Sequence, residues 1–197
     1  AVAPSGDFQD CFVNLYADGN SFHELDRCYG KFSTRMRTGG VIALRNSSIS
    51  GPATGQSAVI FANFDPGGAA KIVVNNNIFE GSYTLTNFNA TYAAYIVAAE
   101  SEFFNNVLFG GVVYDADLIA ADTGGTVLVG TVTDDPLIGD ADTLLMADYA
   151  YGPGSPAIGA ASDGGNIGFG AADVAERTAA KVLPADAPID EVHTVLT

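Results

Sequence analysis

The amino-acid sequence predicts an all-β coil whose short windings lie on one another in register. Three observations carry this reading. Asn46, Asn76 and Asn106 stand 30 residues apart, each followed three places later by an apolar residue (Ile49, Phe79, Phe109) and five places later by glycine (Gly51, Gly81, Gly111). The segments before the asparagines, Val41–Arg45, Ile72–Asn75 and Glu102–Asn105, are short and rich in β-branched or aromatic residues, so each unit reads as strand, tight turn, strand, turn. A unit of this size cannot bury its own apolar face, whereas units laid in register share one interior and bury it together.

Taken in order, Phe12–Tyr16, with Asp18-Gly19-Asn20 and Phe22 after it, reads as a less regular first copy. Ser57–Phe61 and Ala93–Val97 lie between the regular copies and are expected to add a third strand to each winding; loops bearing Asp65-Pro-Gly-Gly68 and Asn87-Phe-Asn89 separate the copies. Thr126–Val129, after the Gly124-Gly125 turn, predicts a last pass. The asparagines need no ligand to explain them: Asn tolerates left-handed backbone, bonds local amides, and in register can form a ladder of Asn46, Asn76 and Asn106. Gly51, Gly81 and Gly111 fit a turn repeated where φ is positive.

Beyond the coil, Ala171, Ala175, Ala179 and Leu183 recur every four residues and predict a short helix ending before Pro184. An extended linker over Ala185–Pro188 then leads to Val192–Thr197, where Val192, Thr194 and Leu196 read as a docking strand. The chain is thus divided into a coil over 1–170 and a helix plus extended tail over 171–197. The tail has two expected destinations: the open end of its own coil, or a neighbouring identical subunit joined by strand addition.

The units Arg45-Asn-Ser-Ser-Ile-Ser-Gly51 and Asn75-Asn-Asn-Ile-Phe-Glu-Gly81 resemble those of right-handed parallel β-helices of the pectate-lyase-like superfamily. Asp135-Pro-Leu-Ile138, Gly154-Ser-Pro-Ala-Ile-Gly159 and Gly164-Gly-Asn-Ile-Gly168 are similar to the closing segment of secreted bacterial β-helix proteins. The resemblance implies a right-handed solenoid of about five turns. It implies no single activity, because that superfamily includes lyases, hydrolases, adhesins and purely structural coils.

Eight basic residues against 23 acidic ones give a net charge of -15, which opposes nucleic acid and anionic membrane as partners. No run approaches the ~20 apolar residues of a membrane span, so no insertion is expected. No basic and then apolar leader opens the chain, which reads as a mature form suited to an extracellular or cell-surface setting. Cys11 and Cys28 are the only cysteines; their separation fits neighbouring passes joined by a disulfide, or equally two buried thiols. Zinc spacing and nucleotide-binding glycine motifs are absent from the sequence, so no cofactor is expected. The aspartates Asp134, Asp135, Asp140, Asp142 and Asp148 offer oxygen ligands for Ca2+, with turn solvation as the competing account.

Five of the eight cationic residues, Arg27, Lys31, Arg35, Arg37 and Arg45, fall within 19 positions, with His23 and Tyr29 beside them. A strand over Phe32–Thr38 would put Arg35 and Arg37 on one face, forming a cationic shelf for a uronate or sulfated sugar. Tyr29, Lys31, Arg35, Arg37 and Arg45 are therefore the candidate ligand-binding residues. In a lyase, Lys31 would be the base and Arg35, Arg37 or Arg45 would neutralise the substrate carboxylate. The competing account pairs these arginines with Asp18, Glu24 and Asp26 on a solvated face. Three functions follow, led by a non-catalytic extracellular coil with a structural, adhesive or glycan-contacting role. The others are an acidic-polysaccharide lyase or a part of one, and a filament or sheath subunit joined through its C-terminal strand.

Overall fold

The structure is a computed structural model describing residues 6–9, 12–19, 23–36, 41–53, 55–61, 71–139, 149–161 and 163–168. The first strands are β1 (Gly6–Gln9), β2 (Phe12–Gly19), β3 (His23–Asp26), β4 (Tyr29–Met36), β5 (Val41–Arg45) and β6 (Ser48–Gly51). They are followed by β7 (Ala58–Phe61), β8 (Lys71–Asn75), β9 (Ile78–Glu80), β10 (Thr84–Asn87), α1 (Ala90–Ala98) and β11 (Phe103–Phe104). The last elements are β12 (Val107–Phe109), α2 (Ala116–Ala121) and β13 (Leu128–Val129). The described chain is mostly strand, in sheets whose strands run parallel, with two helices.

The expected strand over Ala93–Val97 is instead the middle of α1. The Asn89 side chain caps the helix by accepting from the Tyr92 amide at 2.9 Å, and Tyr92, Ala93 and Ile96 face the interior at helical spacing. An alanine-rich run behind an Asn cap favours helix over the β-propensity of Ile96 and Val97. Asp115 caps α2 in the same way, accepting from the Leu118 amide at 2.8 Å.

The first sheet runs β1-β3-β5-β8, and its register sets Gly6 beside His23, His23 beside Ile42, and Ile42 beside Ile72. The step between partners lengthens along the chain because the second sheet forks. The long strand β4, paired with β2 on one side, meets β6 through Tyr29–Lys31 and β7 through Thr34–Arg35 on the other. Buried Ser33 holds the fork: its hydroxyl donates to the Ala58 carbonyl at 2.8 Å and accepts from the Ala53 amide at 3.0 Å. Both branches continue upward, one as β6-β9-β12 and the other as β7-β10.

Where the first sheet bends into the second, Arg27, Asn46, Asn76 and Asn105 adopt left-handed backbone, with φ of 53°, 50°, 60° and 52°. The residue after each bend is buried: Cys28, Ser47, Asn77 and Asn106. These residues form an internal ladder. The Cys28 amide donates to Ser47 Oγ, the Ser47 amide to Asn77 Oδ1, and the Asn77 amide to Asn106 Oδ1, each at 3.0 Å. Asn77 Nδ2 returns a bond to the Leu44 carbonyl at 2.8 Å, and Asn106 Nδ2 to that of Val74 at 2.7 Å.

The expected ladder of Asn46, Asn76 and Asn106 is therefore out of phase at its third member. The winding from Asn76 to Asn105 is one residue shorter than the one below it, so Asn106 stacks on Asn77. The same shift puts Leu108, not Phe109, above Phe79 and Ile49 in the apolar column, while Phe109 lies beside Glu80. Gly110 enters the turn that was expected at Gly111 alone; its φ is 75°, and a Cβ there would stand 2.9 Å from the Gly81 carbonyl oxygen.

The main core lies between the sheets and α1, with Leu25, Leu44 and Val74 opposite Ile49, Phe79 and Leu85, closed by Tyr92 and Ile96. A second cluster lies on the outer side of the second sheet. Ile78 and Val107 point outward from β9 and β12, where Tyr151, Ala157, Ala161 and Ile167 cover them. The Ser155-Pro-Ala-Ile-Gly159 segment thus packs against the outer face of the second sheet. The Gly168 amide reaches the Asn76 carbonyl at 2.7 Å, and a Cβ on Gly168 would come 2.7 Å from Ile78 Cδ1. The tail residues Val192, Thr194 and Leu196, and the helix expected over 171–183, lie outside the described residues.

Asn77→Ala is expected to cost about 3 kcal/mol, since it strands the Ser47 amide and the Leu44 carbonyl in a dry interior at about 1–3 kcal/mol per group. Asn87→Ala, at an exposed site, is expected to stay within about 0.5 kcal/mol. Urea unfolding of both variants measures the difference, and equal midpoints would deny the ladder any part in stability.

Candidate functional site

The cationic segment divides between two sheets. Tyr29, Lys31 and Arg35 lie on β4 at alternate positions, so all three project from the outer face while Phe32 enters the core. Lys31 and Arg35 are half-buried. In backbone register, Asn14 stands beside Lys31 and Asp18 beside Arg35. Tyr29 is only 6% exposed, its ring tilted against that of Tyr149 with centroids 5.1 Å apart, and Ser50 Oγ sits 3.4 Å from the Tyr149 hydroxyl. Tyr29 thus packs beneath the closing segment.

Arg45 belongs to the first sheet, on the other side of the bend at Asn46, and its guanidinium is bonded to Glu24 on the neighbouring strand. It joins a polar face where Asn46 Nδ2 donates to Asp26 Oδ1 at 2.9 Å, and Glu102 receives both Lys71 at 3.3 Å and Asn75 Nδ2 at 2.9 Å. Among the described residues Lys31 and Arg35 therefore share a face of β4, and Arg45 lies apart from them because the chain turns between β5 and β6. Arg37 and Cys11 lie outside the described residues; Cys28 is buried, its Sγ 3.5 Å from the Asp26 carbonyl.

Among the described residues, no three His, Cys, Asp or Glu side chains gather as a metal site. Asp135 bonds its own turn, accepting from the Leu137 amide at 2.8 Å, while Asp140, Asp142 and Asp148 lie outside the described residues. No helix among the described residues is long and apolar enough to cross a membrane. Burial holds the Tyr92 and Tyr114 phenols up at about 12, with hydrogen bonds from Asn106 and Thr131 opposing the shift at Tyr114. Burial, aided by the Glu80 charge, likewise raises Tyr83 well above its ordinary value. These three phenols stay protonated at neutral pH.

One carboxylate went unread in the sequence. Asp122, at the end of α2 and 9% exposed, accepts from the amides of Thr126 at 2.9 Å, Val127 at 3.1 Å and Leu128 at 2.8 Å. Burial pushes its pKa up, but the amides of Leu128, Thr126 and Val127, with the Thr126 side chain, pull it further down, and the net shift is below the ordinary 3.8. The sequence signal was the Gly124-Gly125 turn following an Asp, which lets the backbone fold round a carboxylate.

No known family matches the chain, and no curated protein or solved structure matches it.

Because the folded pKa of Asp122 is depressed, its stabilisation is fully present above 3.8 and is lost as pH falls through the folded value. Asp122→Asn is expected to melt at lower temperature than the parent at neutral pH. The gap should narrow as pH drops below 3.8, and thermal melts across that range check it. A gap independent of pH would remove the charge from the account.

Proposed function

We propose that this chain is a right-handed parallel β-helix module of extracellular or cell-surface use, non-catalytic, with a structural role and contact to acidic polysaccharide. In-register parallel pairing from winding to winding and the ladder at each bend support the helical architecture. The net charge of -15 favours a solvated, salt-tolerant surface.

The observation that carries the reading is the placement of two cations: Lys31 and Arg35 lie four residues apart on β4, on the same face by the two-residue alternation of a strand. Two cations fixed on a rigid strand match the recurring carboxylates or sulfates of an extended sugar chain, with the arginine fork gripping one of them.

Retention on immobilised uronate and sulfated polysaccharides tests the proposal. Lys31→Ala and Arg35→Ala are each expected to weaken binding about tenfold, the equivalent of one charge-assisted hydrogen bond, while Arg45→Ala leaves it unchanged. Absence of binding across both polymer classes would retire glycan contact. Release of unsaturated uronate would replace the non-catalytic reading with a lyase.

A further inference from the structure

We infer that Asp122 ends the strand ladder by standing in for the carbonyl of a further winding, and so prevents a second copy of this chain from adding its strand to β13. The inference rests on the parallel stacking and not on glycan contact. One winding lower, the Phe103 amide donates upward to the Val127 carbonyl at 2.9 Å. Leu128 is the register partner of Phe103 in β13, and its amide has the corresponding upward task. The carbonyls of Val127 and Val129 accept from Phe103 and Asn105 below, so the amide between them points to the other side of the strand.

Among the described residues β13 pairs only with β11, and the Leu128 amide meets Asp122 Oδ2 at 2.8 Å. That distance and direction reproduce the bond a further winding would make. An incoming strand must therefore displace a buried carboxylate oxygen from the Leu128 amide, while the amides of Thr126 and Val127 hold that carboxylate in the path of the strand. The protection matters because the neighbouring surface is sticky: Val129 is 40% exposed, and Gly130 and Thr131 beside it are exposed. An apolar edge with its amide free is a template for another copy, whose own parallel strands match the pairing geometry.

Light scattering of the full chain after size exclusion tests the inference. The parent is expected at 20.2 kDa. Asp122→Ala, folded by circular dichroism, is expected to show a mass that rises with concentration. Adding Val129→Asp is expected to return it to the parent mass through like-charge repulsion at the seam. A folded Asp122→Ala that stays at the parent mass overturns the inference, as does association that Val129→Asp does not reduce. Should Asp122→Ala fail to fold, Asp122→Ser, shorter and uncharged, takes its place with the same two readings. Glycan retention is measured on the same variants, so that failure of the edge cap is separated from failure of the binding face.

Discussion

The constraint on which this structure depends is the amide at each bend. When the chain turns from the first sheet into the second, the residue after the left-handed position directs its N–H along the stack into a region sealed from water. An unpaired donor there costs more than a typical hydrogen bond returns. The chain meets the demand with a side-chain oxygen from the winding above: Ser47 for Cys28, Asn77 for Ser47, Asn106 for Asn77. Asparagine suits the upper rungs, Asn77 and Asn106, because its amide group accepts from one neighbour and donates to a carbonyl with the same side chain. Register follows from this. A one-residue slip of a winding would pull the acceptor away from its donor and turn the apolar column outward.

Constraint at the bends leaves freedom elsewhere, and the windings use it. Among the described residues the lower ones are short and hold strands of the two sheets alone; above the fork at β4 each gains a third side, first β7, then β10 with α1. A long strand can continue as two only if the gap between them is bonded, and Ser33 supplies both a donor and an acceptor at that point. Width then brings a larger interior to fill. Tyr92, packed against Phe88 at 5.3 Å between centroids, and Tyr114, edge-on to Phe103 at 5.7 Å, fill it with rings rather than with aliphatic side chains.

Parallel strand segments with an asparagine bend were legible because they repeat, and repetition exposes a pattern that a single copy conceals. The phase of the third copy was not legible. Asn105 and Asn106 are consecutive asparagines, as are Asn75, Asn76 and Asn77, so counting thirty residues lands on an asparagine whichever one occupies the bend. The backbone angles settle it, with Asn105 left-handed and Asn106 buried. Helix α1 was misread for a different reason: Ala93–Val97 has the length and apolarity of a buried strand, and only the Asn89 cap upstream distinguishes the two. The cationic residues cluster in sequence, but the bend at Asn46 sends Arg45 to one sheet while Lys31 lies on the other.

The described residues of 149–168 run against the side of the stack, covering Tyr29, Ile78 and Val107. The side needs them because those outward positions are apolar, an arrangement that no isolated winding could keep in water. At the last strand among the described residues, the buried Asp122 carboxylate accepts from the Leu128 amide as a further winding's carbonyl would. The chain thus separates two tasks, covering apolar surface with apolar side chains and ending a ladder with a charge. A charge serves the second task because an acceptor that is costly to displace also keeps other strands away.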